Sequence, residues 1–246
     1  MPATAGDDRK RELADALADV RGRIEAAARA AGRDPGEITL VAVTKTFPAT
    51  DAAQLVQLGV ADLGENRDQE AGPKAAELAA WGVARPRWHM VGRLQRNKAR
   101  SVVRWADVVQ SVDSARLADA LDTAVARARE DGQRDGPLDV LLQASIDDDP
   151  GRGGCPLADL PALADHVAGR AELRLRGVMA VAPLGVEPER AFAALQRASV
   201  TLRAQHALAS EISAGMTGDL EVAIGQGSTC VRVGTALLGG RELTSP

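Results

Sequence analysis

The strongest constraint on the fold of this chain is a regular exchange of two hydrophobic periodicities, running from residue 38 almost to its end. Short apolar runs read as strands: "ITLVAVTK" (38–45), "VADLGEN" (60–66), "RWHMVG" (87–92), "ADVVQSVD" (106–113), "LDVLLQASI" (138–146), "LRLRGVMAVA" (173–182), "SEIS" (210–213) and the first half of "STCVRVGTALLG" (228–239). Helical spacing fills the intervals at 49–59, 67–80, 94–105, 114–130, 157–170 and 187–209, with a brief helix after "AGMTGD". Such alternation implies a parallel sheet with helices outside it. Eight strands predict an α/β fold of the (β/α)8 TIM-barrel type, and no Gly-x-Gly-x-x-Gly follows the first strand to favour an open dinucleotide-binding sheet. An additional N-terminal helix is predicted over 7–32. There Leu13, Ala16, Leu17, Val20, Ile24 and Ala27 form one stripe, expected to pack on the barrel. No composition shift marks a linker, so residues 1–246 are expected to form a single domain.

With 2% aromatic residues and no tyrosine, the core must be built from Ala, Val, Leu and Ile. A net charge of −4 gives no support for nucleic-acid binding. No apolar stretch approaches the ~18 residues of a spanning helix, and the charged N-terminus has no apolar signal core, so a cytoplasmic protein is expected. Cys155 and Cys230 are expected to be reduced.

Active groups of such barrels sit at the C-terminal ends of the strands. Lys45 ends the first strand and, by alternation, shares a face with Val41 and Val43, at the mouth of the barrel. Against apolar neighbours its pKa is expected to fall, leaving a neutral amine for Schiff-base chemistry. The competing reading is a structural lysine paired with Glu65. Loops after the last two strands of such barrels often bind phosphate. Here they read "ISAGMTGD", with Ser213 and Thr217 as hydroxyls and Gly215 as a close-approach point, and "VRVGTALLGG", with Gly234 and Thr235. Arg232 lies two residues before Gly234 and is expected to face the same side. An amine, a phosphate cradle and an inward arginine suit pyridoxal 5′-phosphate (PLP).

Over nearly its whole length the chain resembles the pyridoxal-phosphate homeostasis protein family, whose barrel is like the N-terminal domain of alanine racemases. The resemblance rests on "LVAVTKTFP", "LGENRDQE", "WHMVGRLQRNK", "QSVDS", "LRGVMAVAP", "ISAGMTGD" and "GSTCVRVGTALLG" in that order. It implies that Lys45 carries PLP as a Schiff base and that Ser213, Gly234 and Thr235 hold the phosphate. It further implies that Arg232 faces the pyridine nitrogen and that Asn66 and Met216 line the pocket. With Thr217 these make the expected cofactor site; no catalytic or metal-binding residue is assigned. Family members are thought to bind, store or deliver the cofactor, so PLP-dependent apoenzymes are the expected partners, and a monomer or weak dimer is expected. The chain departs from the family at Ser145 of "LQAS", where asparagine is usual, and in the acidic loop "DDDPGRGG".

The strongest rival is a PLP-dependent amino-acid racemase on the same barrel. Two-sided proton transfer needs a second acid-base, which is a tyrosine in alanine racemases, and this chain has none. The racemases also carry a C-terminal domain that is not expected here. His89 remains the candidate base, although a structural histidine is the simpler reading. A lysine Schiff-base aldolase shares the amine but not the order of the motifs. The basic run "RLQRNKARSVVR" suggests partner binding, against the simpler reading of a solvated helix face.

Overall fold

The structure is a computed structural model that describes residues 5–146, 153–183 and 187–240. Most of the acidic loop, residues 147–152, lies outside the described residues. The strands are β1 (Thr39–Val43), β2 (Asp62–Glu65), β3 (Arg87–Met90), β4 (Val108–Val112), β5 (Leu138–Ser145), β6 (Cys155–Pro156), β7 (Leu173–Met179), β8 (Glu211–Ser213) and β9 (Cys230–Val233). All pairings are parallel. They run β1-β2-β3-β4-β5-β7-β8-β9 and return to β1, which closes an eight-stranded barrel. The two-residue β6 was not expected from the sequence. It pairs with Ala144 and Ser145 at the end of β5 and is too short to carry a hydrophobic period.

The helices are α1 (Ala5–Ala30), α2 (Ala49–Gln57), α3 (Asp68–Ala80), α4 (Ala99–Val102), α5 (Ala115–Glu130), α6 (Leu160–Ala168), α7 (Pro188–Gln205), α8 (Leu220–Gly225) and α9 (Thr235–Leu238). The predicted helix over 94–105 is broken into a 3-10 turn at Arg96–Lys98 and the four-residue α4. Ala99, Val102, Val103, Trp105 and Ala106 still share one buried face while Arg100, Ser101 and Arg104 are exposed, so the predicted amphipathic pattern holds across the shortened helix and the turn that follows it.

Two interiors result from strand alternation. Outward-facing Ala42, Leu63, Trp88, Val109, Val140, Val178, Ile212 and Val231 meet the helices in one continuous apolar core. Inside the barrel the apolar cluster is small, with Val108, Leu141 and Met179, and the lumen also holds Val41 and Val43 together with polar side chains. β7 and β8 approach so closely at Gly177 that a Cβ there would overlap the backbone of Glu211.

α1 lies across α8, α9 and α2. Leu13, Leu17, Val20, Ile24 and Ala28 are buried, and each of the larger four contributes about 1.5–3 kcal/mol through burial. Arginines on α1 reach past this stripe. Arg9 donates to Asp51 (2.7 Å) and to the Leu238 carbonyl (3.0 Å), while Arg23 donates to Glu221 (2.6 Å) and the Thr217 carbonyl (2.8 Å). The N-terminal helix therefore grips the loops that follow β8 and β9.

Candidate functional site

The C-terminal ends of β1, β2, β3, β7, β8 and β9 surround a cavity of about 570 Å3. Lys45, Asn66, Met216, Thr217, Arg232, Gly234 and Thr235 all line it, so seven of the eight expected cofactor residues are brought together. Ser213 is not among them. It is fully buried one layer below, where its hydroxyl is already engaged on both sides.

Lys45 stands two residues beyond the end of β1 and continues the inward face of Val41 and Val43. Its side chain is exposed, however, so the desolvation expected from its apolar neighbours is not present. The competing ion pair is not formed either. Glu65 is fully buried and accepts from Lys74 of α3 and from the Thr44 hydroxyl (2.6 Å), while the Thr44 carbonyl accepts from Lys74 (2.7 Å). This buried cluster lies on the helix side of the barrel wall and clamps the end of β1 at Thr44, the residue before Lys45. Burial pushes the pKa of Glu65 up, with Lys74 and Thr44 pulling it back. Lys45 itself makes no hydrogen bond or ion pair with any described residue.

Thr46, next in sequence, has φ +65°, and among the described residues no other non-glycine residue has a positive φ. Its backbone N–H donates to Glu70 (3.2 Å). A β-branched residue resists this conformation, so the surrounding contacts hold Thr46, and with it Lys45, against local preference. At the end of the neighbouring β2, Asn66 is pressed against the segment after β3, and a Cβ on Gly92 would overlap the Asn66 carbonyl.

On the other side of β1 lie the loops after β9, its neighbour in the barrel, and after β8. The backbone N–H groups of Thr217, Gly218 and Gly234 make no hydrogen bond to any described residue. The Thr217 hydroxyl accepts from the Ala236 N–H (3.3 Å) and so ties the two loops together. Unpaired N–H groups beside two threonine hydroxyls form a pocket suited to an oxyanion.

Arg232 forms the inner wall and is 5% exposed. Its guanidinium donates to the Ser213 hydroxyl (2.6 Å) and the Ala180 carbonyl (2.8 Å). Burial lowers its pKa. Arginine can only donate, so the Ser213 hydroxyl accepts from it and gives its own hydrogen to Gln110 Oε1 (2.7 Å). That orients the Gln110 amide, whose Nε2 donates to His89 Nδ1 (3.0 Å), leaving the His89 Nε2–H for Asp62 (2.8 Å). The barrel lumen thus carries one directed chain from Arg232 to Asp62. His89, considered above as a base, sits in this chain at 1% exposure and does not line the cavity. Cys230 is buried beside it, and burial raises the pKa of its thiol. Both cysteines are free.

The sequence did not single out Phe47, Val91 and Val181 as cavity residues, yet they supply its apolar walls. The signal was available for Val91, which lies two residues beyond His89 on the inward face of β3.

Residues 16–242 match the family described as "Alanine racemase, N-terminal domain". The pyridoxal phosphate homeostasis protein of Mycobacterium leprae is 48% identical over 249 residues, covering 97% of this chain and 96% of that protein. PipY of Synechococcus elongatus PCC7942, solved with PLP bound, is 34% identical, with a TM-score of 0.78 over 92% of this chain and 100% of PipY. Alanine racemase of Corynebacterium glutamicum shares the fold at 16% identity and a TM-score of 0.64, with 95% of this chain covering 64% of the racemase. The chain belongs to the pyridoxal phosphate homeostasis protein family, built on the barrel of the alanine racemase N-terminal domain.

Proposed function

We propose that this chain is a PLP-binding protein of cofactor homeostasis that holds PLP covalently on Lys45, with no catalytic cycle of its own. One observation carries the reading: an unpaired lysine amine and a set of unpaired backbone N–H groups face the same cavity. The residues fit the group chemically. Lys45 supplies the amine for its aldehyde. Thr217, Gly218, Gly234 and Thr235 hold the phosphate, and Arg232 lies against the ring. When bound, PLP supplies an electrophilic carbon and an electron-withdrawing ring. The chain's own residues orient it, and the chain of hydrogen bonds behind Arg232 keeps that guanidinium fixed in place.

The reading against catalysis is supported by the composition of the lining. Among the described residues the cavity wall includes no His, Asp, Glu, Cys or Tyr, so nothing there pairs with Lys45 as a second acid-base. A charged guanidinium at the ring nitrogen also opposes the pyridinium form that catalysis would use as an electron sink. An accessible lysine in an open mouth suits exchange of the cofactor, and PLP-dependent apoenzymes are the proposed recipients. Among the described residues no helix is long and apolar enough to cross a membrane. A cytoplasmic location and a monomer or weak dimer complete the proposal.

The test is the visible absorbance of the protein and of Lys45→Ala, with and without added PLP, followed by amino-acid racemase assays. A visible band that depends on Lys45, without Lys45-dependent turnover, is expected. No band after adding PLP would overturn the cofactor assignment. Turnover abolished by Lys45→Ala would overturn the non-catalytic reading in favour of the racemase.

A further inference from the structure

A second and larger cavity, of about 990 Å3, lies beside the cofactor cavity and shares only Asn66 with it. It opens at the C-terminal ends of β2, β3 and β4 and takes in the "RLQRNK" run, for which the proposed function has no use. Five cationic side chains line it (Arg67, Arg93, Arg96, Lys98 and Arg116) against two carboxylates. Of these carboxylates, Asp68 is buried and accepts from the Trp105 indole (3.0 Å), which leaves Asp113 as the counter-charge on the open wall. Arg67 pairs with Glu70 in its own turn (3.3 Å). The side chains of Arg93, Arg96, Lys98 and Arg116 make no hydrogen bond or ion pair with any described residue. Like charges gathered around one cavity repel at short range, and on the open wall Asp113 alone among the described lining residues stands against the four unpaired cations.

The backbone adds to this field. The sixteen-residue α5 starts on the cavity wall, with no acidic residue in its first turn and no side-chain cap from Ser114. The N–H groups of Ala115 and Arg116 have no partner among the described residues. Helix start and arginines therefore favour negative charge at the same place.

We propose that this cavity is a second binding site, distinct from the cofactor cavity, for a compact polyanion of the phosphate-ester class. The inference stands on the cavity alone and does not depend on PLP binding at Lys45. The lining argues for a small ligand over a macromolecule. Among the described residues it has no aromatic ring on which a nucleobase would stack. Its apolar members, Met90, Leu94 and Leu117, are at least 93% buried and give a protein partner no anchor. What remains accessible is a concave set of donors, as phosphate recognition requires.

Inorganic pyrophosphate serves as the probe, titrated into the full chain without PLP and followed by calorimetry and amide NMR. Saturable shifts are expected at Gln69, Ala115, Arg116 and Leu117, weakening as salt is raised. The double variant Arg93→Gln/Arg116→Gln, whose replaced side chains are exposed, is expected to weaken binding at these amides by about tenfold or more. Its circular dichroism should be unchanged. Amides of Thr217, Gly218 and Gly234 report the cofactor cavity separately. Shifts confined to those three, no saturation, or equal affinity in the double variant would each overturn the proposal. A single-stranded oligonucleotide that shifts the α5 amides where pyrophosphate does not would also overturn it and assign the face to nucleic acid.

Discussion

Arg232 Nη1 lies 2.6 Å from Ser213 Oγ, and this contact decides the roles of both residues. It spends the Ser213 hydroxyl inside the barrel lumen, away from the cavity above, and fixes Arg232 as the inner wall of that cavity. Ser213→Ala would leave both Arg232 Nη1 and Gln110 Oε1 without their partner. A loss of about 1–3 kcal/mol is expected, read as a fall in Tm of about 2–4 °C per kcal/mol for a chain of this size. PLP affinity should change less than in Thr217→Ala, because Ser213 does not line the cavity. Equal loss of PLP affinity in the two variants would return Ser213 to the phosphate site.

Lys74 and Glu65 form a buried ion pair on the helix side of β1. Lys74→Met keeps the stem of the side chain but strands the Glu65 carboxylate, at a cost of about 3–5 kcal/mol when that group is ionised. Burial already holds the Glu65 pKa above the ordinary carboxylate range, and without Lys74 it rises further. The native state then binds a proton more readily than the unfolded chain. Stability of the variant, relative to the parent, should therefore recover as pH falls through the raised pKa and decline as pH rises through it. Denaturant midpoints of both proteins between pH 5 and 8 check this; a gap that widens on acidification would contradict it.

Arg23 connects the N-terminal helix, through the Thr217 carbonyl, to the end of the cavity proposed to hold the phosphate. Arg23→Ala removes that contact together with a half-exposed ion pair to Glu221, which by itself is worth at most about 1 kcal/mol. Stability should change little, while PLP affinity falls several-fold as the Thr217 loop loses its support. Fluorescence titration with PLP, beside a thermal melt, separates the two effects. A large fall in Tm with unchanged affinity would make Arg23 a purely structural residue.

Thr46 holds its left-handed conformation at a cost of about 1–2 kcal/mol. Glycine would remove this strain while adding about 0.5–1 kcal/mol of backbone entropy to the unfolded state. Thr46→Gly is therefore expected to be at least as stable as the parent and to release PLP faster, because Lys45 is no longer held in place. Stopped-flow release of the cofactor measures the second effect. A marked fall in Tm would mean that the contacts of the Thr46 side chain outweigh the strain.

By itself the sequence determined the order of the strands, the closed barrel and the packing helix at its N-terminus. These follow from periodicities of two and 3.6 residues, local signals that survive without knowledge of distant neighbours. The same alternation was enough to put Lys45 above Val41 and Val43, and Arg232 on the face of Gly234. The tertiary structure decided which groups each side chain meets. Glu65 looked like a partner for Lys45, yet Lys74, nine residues on and one helical layer out, reaches it first. Ser213 looked like a phosphate ligand, yet Gln110 and Arg232, 103 and 19 residues away, take both sides of its hydroxyl. Arg93, in a run read as a solvated helix face, meets Arg116 at the start of α5 only once barrel closure brings the two segments to one cavity. Hydrogen bonds and charges act over a few ångströms whatever the separation along the chain, so their pairing is settled only when the barrel closes.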